Sequence, residues 1–307
     1  MRILVVGAGS TGGYFGGRLA GAGRDVTFLV RPTRAERLRA HGLQIVSPHG
    51  DVTLAPKLVT AGQIEGPYDA ILLTVKAFSL AAALDDLAPA VGPDTMILPV
   101  LNGMKHVDTL IGRFGAHTVA GCVCKVATMV DNKGRIVQLA PVQELAYGEM
   151  NGQPSARTAA LDTEMQGAAF DARLSATIER DMWEKWILLA TMGGITCLMR
   201  GTIGEVEGAP GGVAFALGFL DEVAAIVSAA GVAPSAAFLA GARALFTQKE
   251  SPQTSSMYRD LVKGRPVEVE QIIGDLLVRG QRAGLASPLV ATAYTHLSVY
   301  QAKVATP

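Results

Sequence analysis

In the first half of the chain, short aliphatic and β-branched runs alternate with longer stretches whose apolar residues recur at helical spacing. Residues 3–6, 26–30, 70–75, 96–100 and 118–121 read as strands, and 12–22, 34–41, 80–88 and 105–113 as the helices that cross between them. Strand and helix in alternation predict a parallel α/β sheet. Residues 136–139 and 144–147, flanked by glycine and proline, read as two later strands that extend this sheet antiparallel. Past residue 178 the strand pattern ends. Alanine- and leucine-rich stretches take over at 180–200, 211–230, 235–247, 255–263, 267–283 and 289–302. Ser251-Pro252-Gln253 and Ala286-Ser287-Pro288 break that pattern and start new helices. The expectation is an N-terminal α/β domain over 1–178 and an all-helical domain over 179–307.

The length of 307 residues suits two domains of roughly 150 residues each. With 49% hydrophobic and 18% charged residues, the chain is too apolar to stay disordered. Lys plus Arg and Asp plus Glu are each 27, so no net charge draws in a nucleic acid or an anionic membrane; small molecules are the expected partners. Cys122, Cys124 and Cys197 cannot make a disulfide framework, and the C-x-C spacing of the first two lacks a second ligand pair for zinc. These features suit a reducing cytoplasm. The N-terminal apolar run breaks into glycine after four residues, too early for a signal peptide. The 14 uncharged residues at 186–199 fall short of the roughly 20 a membrane span needs, and read as a buried helix. Residues 211–230 are apolar almost throughout, with Asp221 and Glu222 the charged residues, which suits either a core helix or the face of a homodimer.

Gly7-Ala8-Gly9-Ser10-Thr11-Gly12 is a G-x-G-x-x-G directly after a strand and directly before a helix. In that context the three glycines serve separate needs. Gly7 permits the tight turn, Gly9 the close approach of backbone to a pyrophosphate, and Gly12 the packing of helix on strand. The six residues are therefore candidate dinucleotide ligands. At the end of the second strand, where an NAD-binding chain usually carries an acid for the ribose, this chain has Arg31. Arg31 is either an ordinary solvated arginine or, helped by Thr33 and Arg34, the partner of a 2′-phosphate, which favours NADP(H).

A nicotinamide enzyme that reduces a carbonyl needs a group to protonate the oxygen. None of the five histidines sits in a recognisable His–Asp arrangement, and only His106, near Asn102, falls close to the expected cofactor. Asp181-Met182-Trp183-Glu184-Lys185-Trp186 opens the helical half with one lysine in an apolar setting. Its ammonium either snorkels to the surface or points into a cleft.

Several blocks, taken together and in order, resemble the ketopantoate reductase (2-dehydropantoate 2-reductase) family: the glycine loop, Leu73-Thr74-Val75-Lys76-Ala77, Leu101-Asn102-Gly103-Met104, Trp183-Glu184-Lys185, and Ser255-Ser256-Met257-Tyr258-Arg259-Asp260, continuing through Pro266-Val267-Glu268 to Gly274. The resemblance implies a Rossmann-type domain followed by a helical domain with the active site between them. It also implies NADPH-dependent reduction of 2-dehydropantoate to pantoate, a step of pantothenate biosynthesis. By the same resemblance Lys185 is the general acid, Glu268 lines the cleft beside substrate and cofactor, Asn102 helps hold nicotinamide, substrate and lysine, Lys76 lies near the cofactor, Ser256 contacts the substrate carboxylate, and Ala127 falls near a backbone cofactor contact. Read from its position alone, after Pro266 in what should be a helix's first turn, Glu268 is a helix-terminal charge.

The chain departs from the family where the lysine helix usually carries asparagines four and eight residues after the lysine; here those positions are Leu189 and Gly193. At 100° per residue, Leu189, Met192 and Thr196 fall about 40°, −20° and 20° from Lys185, a mostly apolar face. A less polar 2-oxo acid is therefore an alternative substrate to ketopantoate. Two other readings keep the glycine loop: a non-catalytic NADP(H) sensor, and an imine- or opine-forming dehydrogenase.

Overall fold

The computed structural model describes residues 1–305. The last two residues of the expected helical domain, 306 and 307, lie outside the described residues. Contacts divide the chain into two compact units, Met1–Leu101 with His106–Glu179, and Asn102–Lys105 with the chain from Arg180 onward.

The first unit is built on β1 (Arg2–Val6), α1 (Ser10–Gly21), β2 (Asp25–Leu29), α2 (Pro32–His41), β3 (Leu43–Val46), β4 (Val52–Leu54), β5 (Lys57–Val59), β6 (Ala70–Leu73), α3 (Leu80–Leu87), β7 (Met96–Pro99), α4 (Lys105–Phe114), β8 (Ala120–Val130), β9 (Ile136–Glu149), α5 (Ala156–Met165) and β10 (Asp171–Leu174). Its first sheet runs β5-β2-β1-β6-β7, with every pairing parallel. Ile3, Leu4 and Val5 on the central strand have no exposure, as a parallel sheet covered on both faces requires. Strand order reverses at β1, where β2 lies on one side and β6 on the other; the carboxyl end of such a switch point is where open α/β sheets bind ligands.

Three expectations are corrected here. Residues 118–121 do not complete the parallel sheet: Val119 makes one isolated parallel bridge to Ile97, after which β8 pairs antiparallel with β9 in a second sheet. The fifth parallel strand is instead β5, only three residues long and half-exposed, too short to stand out in the hydrophobic pattern. The expected strands 136–139 and 144–147 are one strand, β9, which does not extend the first sheet but pairs with β8, with β3 and with β10 in the second. Pro141 interrupts the pattern without interrupting the strand, because it sits in a bulge: the ladder jumps from Val126–Gln143 to Thr128–Gln138, and no ladder bond needs the missing N–H. The Tyr14 hydroxyl lies between the side chains of Gln138 and Gln143, which flank that bulge, and ties α1 to it.

The second unit contains α6 (Ile178–Met199), α7 (Ile203–Glu207), α8 (Gly212–Ala230), α9 (Ala236–Phe246), α10 (Ser256–Val262), a π-helical turn (Glu270–Gly274) running into α11 (Asp275–Arg282), and α12 (Pro288–Ala305). Serine and threonine start several of these: Thr202, Ser235 and Ser255 each accept a backbone N–H at a helix N-terminus. α8 is long and apolar enough to cross a bilayer by length and composition, but Ala216, Phe219, Leu220, Val223, Ile226 and Val227 are buried within the unit, as in a core helix.

Candidate active site

The glycine loop owes its shape to its neighbours. Gly7 has φ of +96°, a conformation L side chains rarely adopt, and its N–H donates to the Leu29 carbonyl at 2.9 Å. A Cβ on Gly12 would lie 2.0 Å from Thr74 Oγ1 and 2.2 Å from the Gly7 carbonyl, so α1 approaches the loop and β6 as closely as glycine allows. Thr74, which follows β6, reaches the carbonyls of Val6 and Gly7 with its hydroxyl at 2.8 and 3.0 Å. Gly9 is different: a Cβ there would meet nothing within 4 Å. Gly9 caps α1 without a side-chain bond, and the helix has no acidic residue in its first turn. The N-terminal N–H groups of α1 and the positive end of its dipole therefore face open space beside Gly9, which fits a dinucleotide's pyrophosphate.

Arg31 is exposed at the N-cap of α2 and donates from Nη2 to Ser79 Oγ at 3.1 Å. Arg34 does not join it. Its guanidinium donates from Nε and Nη2 to the Ala8 carbonyl at 3.1 and 2.9 Å, bracing the glycine loop from behind. Burial, with the charge of Arg37, pulls the Arg34 guanidinium below its ordinary value. The expectation that Arg34 helps Arg31 is thus corrected: it holds the loop. Lys76 is exposed at the start of a short 3-10 turn, its Nζ 6.0 Å from the ring centroid of exposed Phe78. Ala127 is the residue skipped by the ladder at the β8 bulge, where backbone leaves its usual pairing.

The second unit gathers another group of expected residues. Lys185 and Leu189 are half-buried on α6, while Trp183 and Trp186 are 4% and 1% exposed. The Trp186 indole N–H donates to the Ile272 carbonyl at 2.9 Å. Gly103 backs onto the same turn, where a Cβ would stand 2.3 Å from the Gln271 carbonyl and 3.8 Å from Trp186 Nε1. The chain neighbours of these residues, half-buried Asn102 and Lys185, thus share one neighbourhood with the π turn that follows Glu268. Arg279 stacks over both tryptophans, 5.5 and 5.7 Å from their centroids, and its Nε is 3.0 Å from Asp275.

Glu268 stands at the start of its helix, its carbonyl accepting the first helical bond from Ile272 N–H at 3.1 Å. What the sequence does not announce is the π turn that follows, in which Asp275 N–H donates five residues back to the Glu270 carbonyl. Single π turns inside helices are rare and concentrate at functional sites. Ser256 is exposed at the first position of α10; the capping serine is Ser255, which accepts from Tyr258 N–H at 2.8 Å and lies 2.9 Å from Thr196 Oγ1. His106 is 1% exposed on α4 in the first unit. Among the described residues no cluster of His, Cys, Asp and Glu could hold a metal ion.

Comparison with known proteins bears on both units. The family model Ketopantoate reductase PanE/ApbA matches residues 3–152, and Ketopantoate reductase PanE/ApbA C terminal matches 177–301. The chain is 35% identical over 303 residues to the uncharacterized oxidoreductase YkpB of Bacillus subtilis, covering 99% of this chain and 100% of that protein. It is 28% identical to a 2-dehydropantoate 2-reductase of Mesorhizobium japonicum, covering 94% of each. The crystal structure of 2-dehydropantoate 2-reductase from Geobacter metallireducens superposes with a TM-score of 0.86 at 27% identity, covering 97% of this chain and 99% of that one. A ternary structure of D-mandelate dehydrogenase with NADH and anilino(oxo)acetate shares the fold, with a TM-score of 0.84 at 20% identity over 99% of each chain.

Proposed function

The chain belongs to the ketopantoate reductase family of oxidoreductases, and on that premise we propose that it reduces a 2-oxo acid to the 2-hydroxy acid with NADPH, taking ketopantoate or a less polar analogue and using Lys185 as general acid. The observation that carries this reading is the contact of Trp186 and Gly103 with the Gln271–Ile272 turn, which makes neighbours of the segments bearing Lys185, Asn102 and Glu268.

A bound dihydronicotinamide supplies the hydride to the carbonyl carbon. The chain's own residues do the rest. Gly7, Ala8, Gly9, Ser10, Thr11 and Gly12 bind the pyrophosphate through backbone N–H groups and the start of α1. Arg31 pairs with the 2′-phosphate, and Lys76 and Ala127 complete the cofactor contacts. Ser256 holds the substrate carboxylate and Asn102 orients the oxo group. Lys185 Nζ gives its proton to the oxo oxygen as negative charge develops there, while Glu268 lines the cleft beside it. On this reading the first unit holds the pyrophosphate and 2′-phosphate ends of the cofactor, and the second holds the substrate with Asn102 and Glu268 beside the nicotinamide. The partners are small molecules, the setting is the cytoplasm, and α8 is the candidate homodimer helix.

Lys185→Ala tests the assignment. Turnover of 2-oxo acids should fall by about 10²–10⁴-fold, while NADPH binding, read by nucleotide fluorescence, stays as in the wild type. Undiminished turnover would remove Lys185 from the mechanism, and a wild-type chain that binds NADPH yet reduces no 2-oxo acid would favour a sensor. A reaction that proceeds only with added amine would point to imine formation.

A further inference from the structure

The face of α6 that carries Lys185 is apolar beyond it for reasons that involve a second helix. Gly193 lies two turns along α6, and a Cβ there would come within 2.6 Å of Met257 Cε, so the place of a side chain at 193 is taken by the thioether of α10. Met257 is 4% exposed. The remaining neighbours on the face are Leu189 and Met192, both half-buried, and Thr196. Thr196 has no exposure, and its hydroxyl is engaged by the Met192 carbonyl at 2.7 Å and Ser255 Oγ at 2.9 Å. Leu189 and Met192 are thus the partly exposed members of this face, backed by buried Met257 and by a Thr196 hydroxyl already engaged.

We propose that Leu189, Met192 and the Met257-filled flank of Gly193 set the specificity of this chain, selecting 2-oxo acids whose side chain is hydrocarbon and disfavouring those that carry a hydroxyl. The inference rests on the reductase reading above. A hydroxyl against this wall gives up its water without gaining a partner, which costs about 10- to 100-fold in specificity. Branched aliphatic oxo acids meet no such penalty.

Ketopantoate and trimethylpyruvate make the direct test, since they differ only by one hydroxyl. In NADPH-dependent kinetics on the wild-type protein, kcat/KM for trimethylpyruvate should exceed that for ketopantoate by about 10-fold or more. Leu189→Asn, which puts an amide on the wall, should shift the ratio toward ketopantoate by about 5- to 10-fold while leaving NADPH binding unchanged. Met257→Ala, which empties the flank of Gly193, should raise kcat/KM for phenylpyruvate relative to trimethylpyruvate; should that variant not fold, the Leu189→Asn ratio decides alone. Turnover of both acids with ketopantoate preferred overturns the specificity proposal and spares the reductase. An unmoved ratio in Leu189→Asn overturns the assignment of the wall, and no turnover of either acid overturns the reductase reading and this one together.

Discussion

Gly9 and Gly12 belong to one motif, yet their surroundings predict opposite responses to the same added methyl. At Gly12, the Cβ of alanine would sit 2.0 Å from Thr74 Oγ1 and 2.2 Å from the Gly7 carbonyl, well inside ordinary contact. Relief requires α1 to back away from β1 and β6, which costs roughly 1–3 kcal/mol for overpacking. It also disturbs the Thr74 hydroxyl's hold on the Val6 and Gly7 carbonyls, worth about 1 kcal/mol more. At some 2–4 °C per kcal/mol, Gly12→Ala should melt about 4–16 °C lower than wild type. At Gly9, φ is −81° and the space is open, so alanine is accepted, and it removes unfolded-state freedom worth about 0.4–1 kcal/mol. The apo melting temperature of Gly9→Ala should hold or rise slightly. Its cofactor response should not survive, because the methyl stands where a phosphate must approach. Thermal melts with and without NADPH read both effects. A ligand at 100 times its Kd adds about 2.7 kcal/mol, whereas a 100-fold weaker Kd leaves about 0.4 kcal/mol, nearly no shift. A Gly9→Ala protein that NADPH stabilises like wild type, or that melts below Gly12→Ala without ligand, would overturn the contrast between the two glycines.

Other outcomes follow from single contacts. Arg31→Ala should raise the KM for NADPH about 10- to 100-fold and leave that for NADH nearly unchanged, since only the former brings a phosphate to the guanidinium; equal KM values for the two cofactors in the wild type would contradict the assignment. Ser79→Ala, which frees Arg31 Nη2 from its 3.1 Å bond, should give a smaller effect in the same direction, checked by the same kinetics. The hydrogen bond from Arg157, with a further one from Ser155, holds the Glu149 carboxyl below its ordinary range against the opposing effect of burial. That stabilisation is therefore complete above the unfolded-state value of about 4.3 and is lost as pH falls from there through the lower folded value. Glu149→Gln should flatten the acid limb of melting temperature against pH, and parallel wild-type and variant curves would count against it.

What could be read from the chain alone follows the range of the interactions involved. The glycine loop was legible because strand, turn and helix start are contiguous, and each glycine's constraint lies within the motif or at Thr74. The helices of the second unit were legible from periodicity. The strands that escaped, Leu43–Val46, Val52–Leu54, Lys57–Val59 and Asp171–Leu174, are three or four residues long, and among them only Leu43 and Ile45 are buried, so partners rather than composition define them. Val119 shows how a correct local signal misleads: it does bridge Ile97, but the strand that follows is claimed by β9. Arg34 looked like a ligand for an anion because sequence shows its charge and not the Ala8 carbonyl waiting for it. The filling of Gly193 by Met257 joins residues on separate helices, and no local pattern announces it.

The π turn at Glu270–Gly274 carries one residue more than a regular helix would use there. It acts as a phase shifter. Deleting a single residue from it would leave a continuous α-helix, swing everything before it by about 100° around the axis and draw it along by about 1.5 Å. Leu276 and Gly280 could keep their buried seats while Glu268 turned to another compass bearing. The extra residue therefore uncouples how this helix docks from where it aims its carboxylate, and lets the two be set independently.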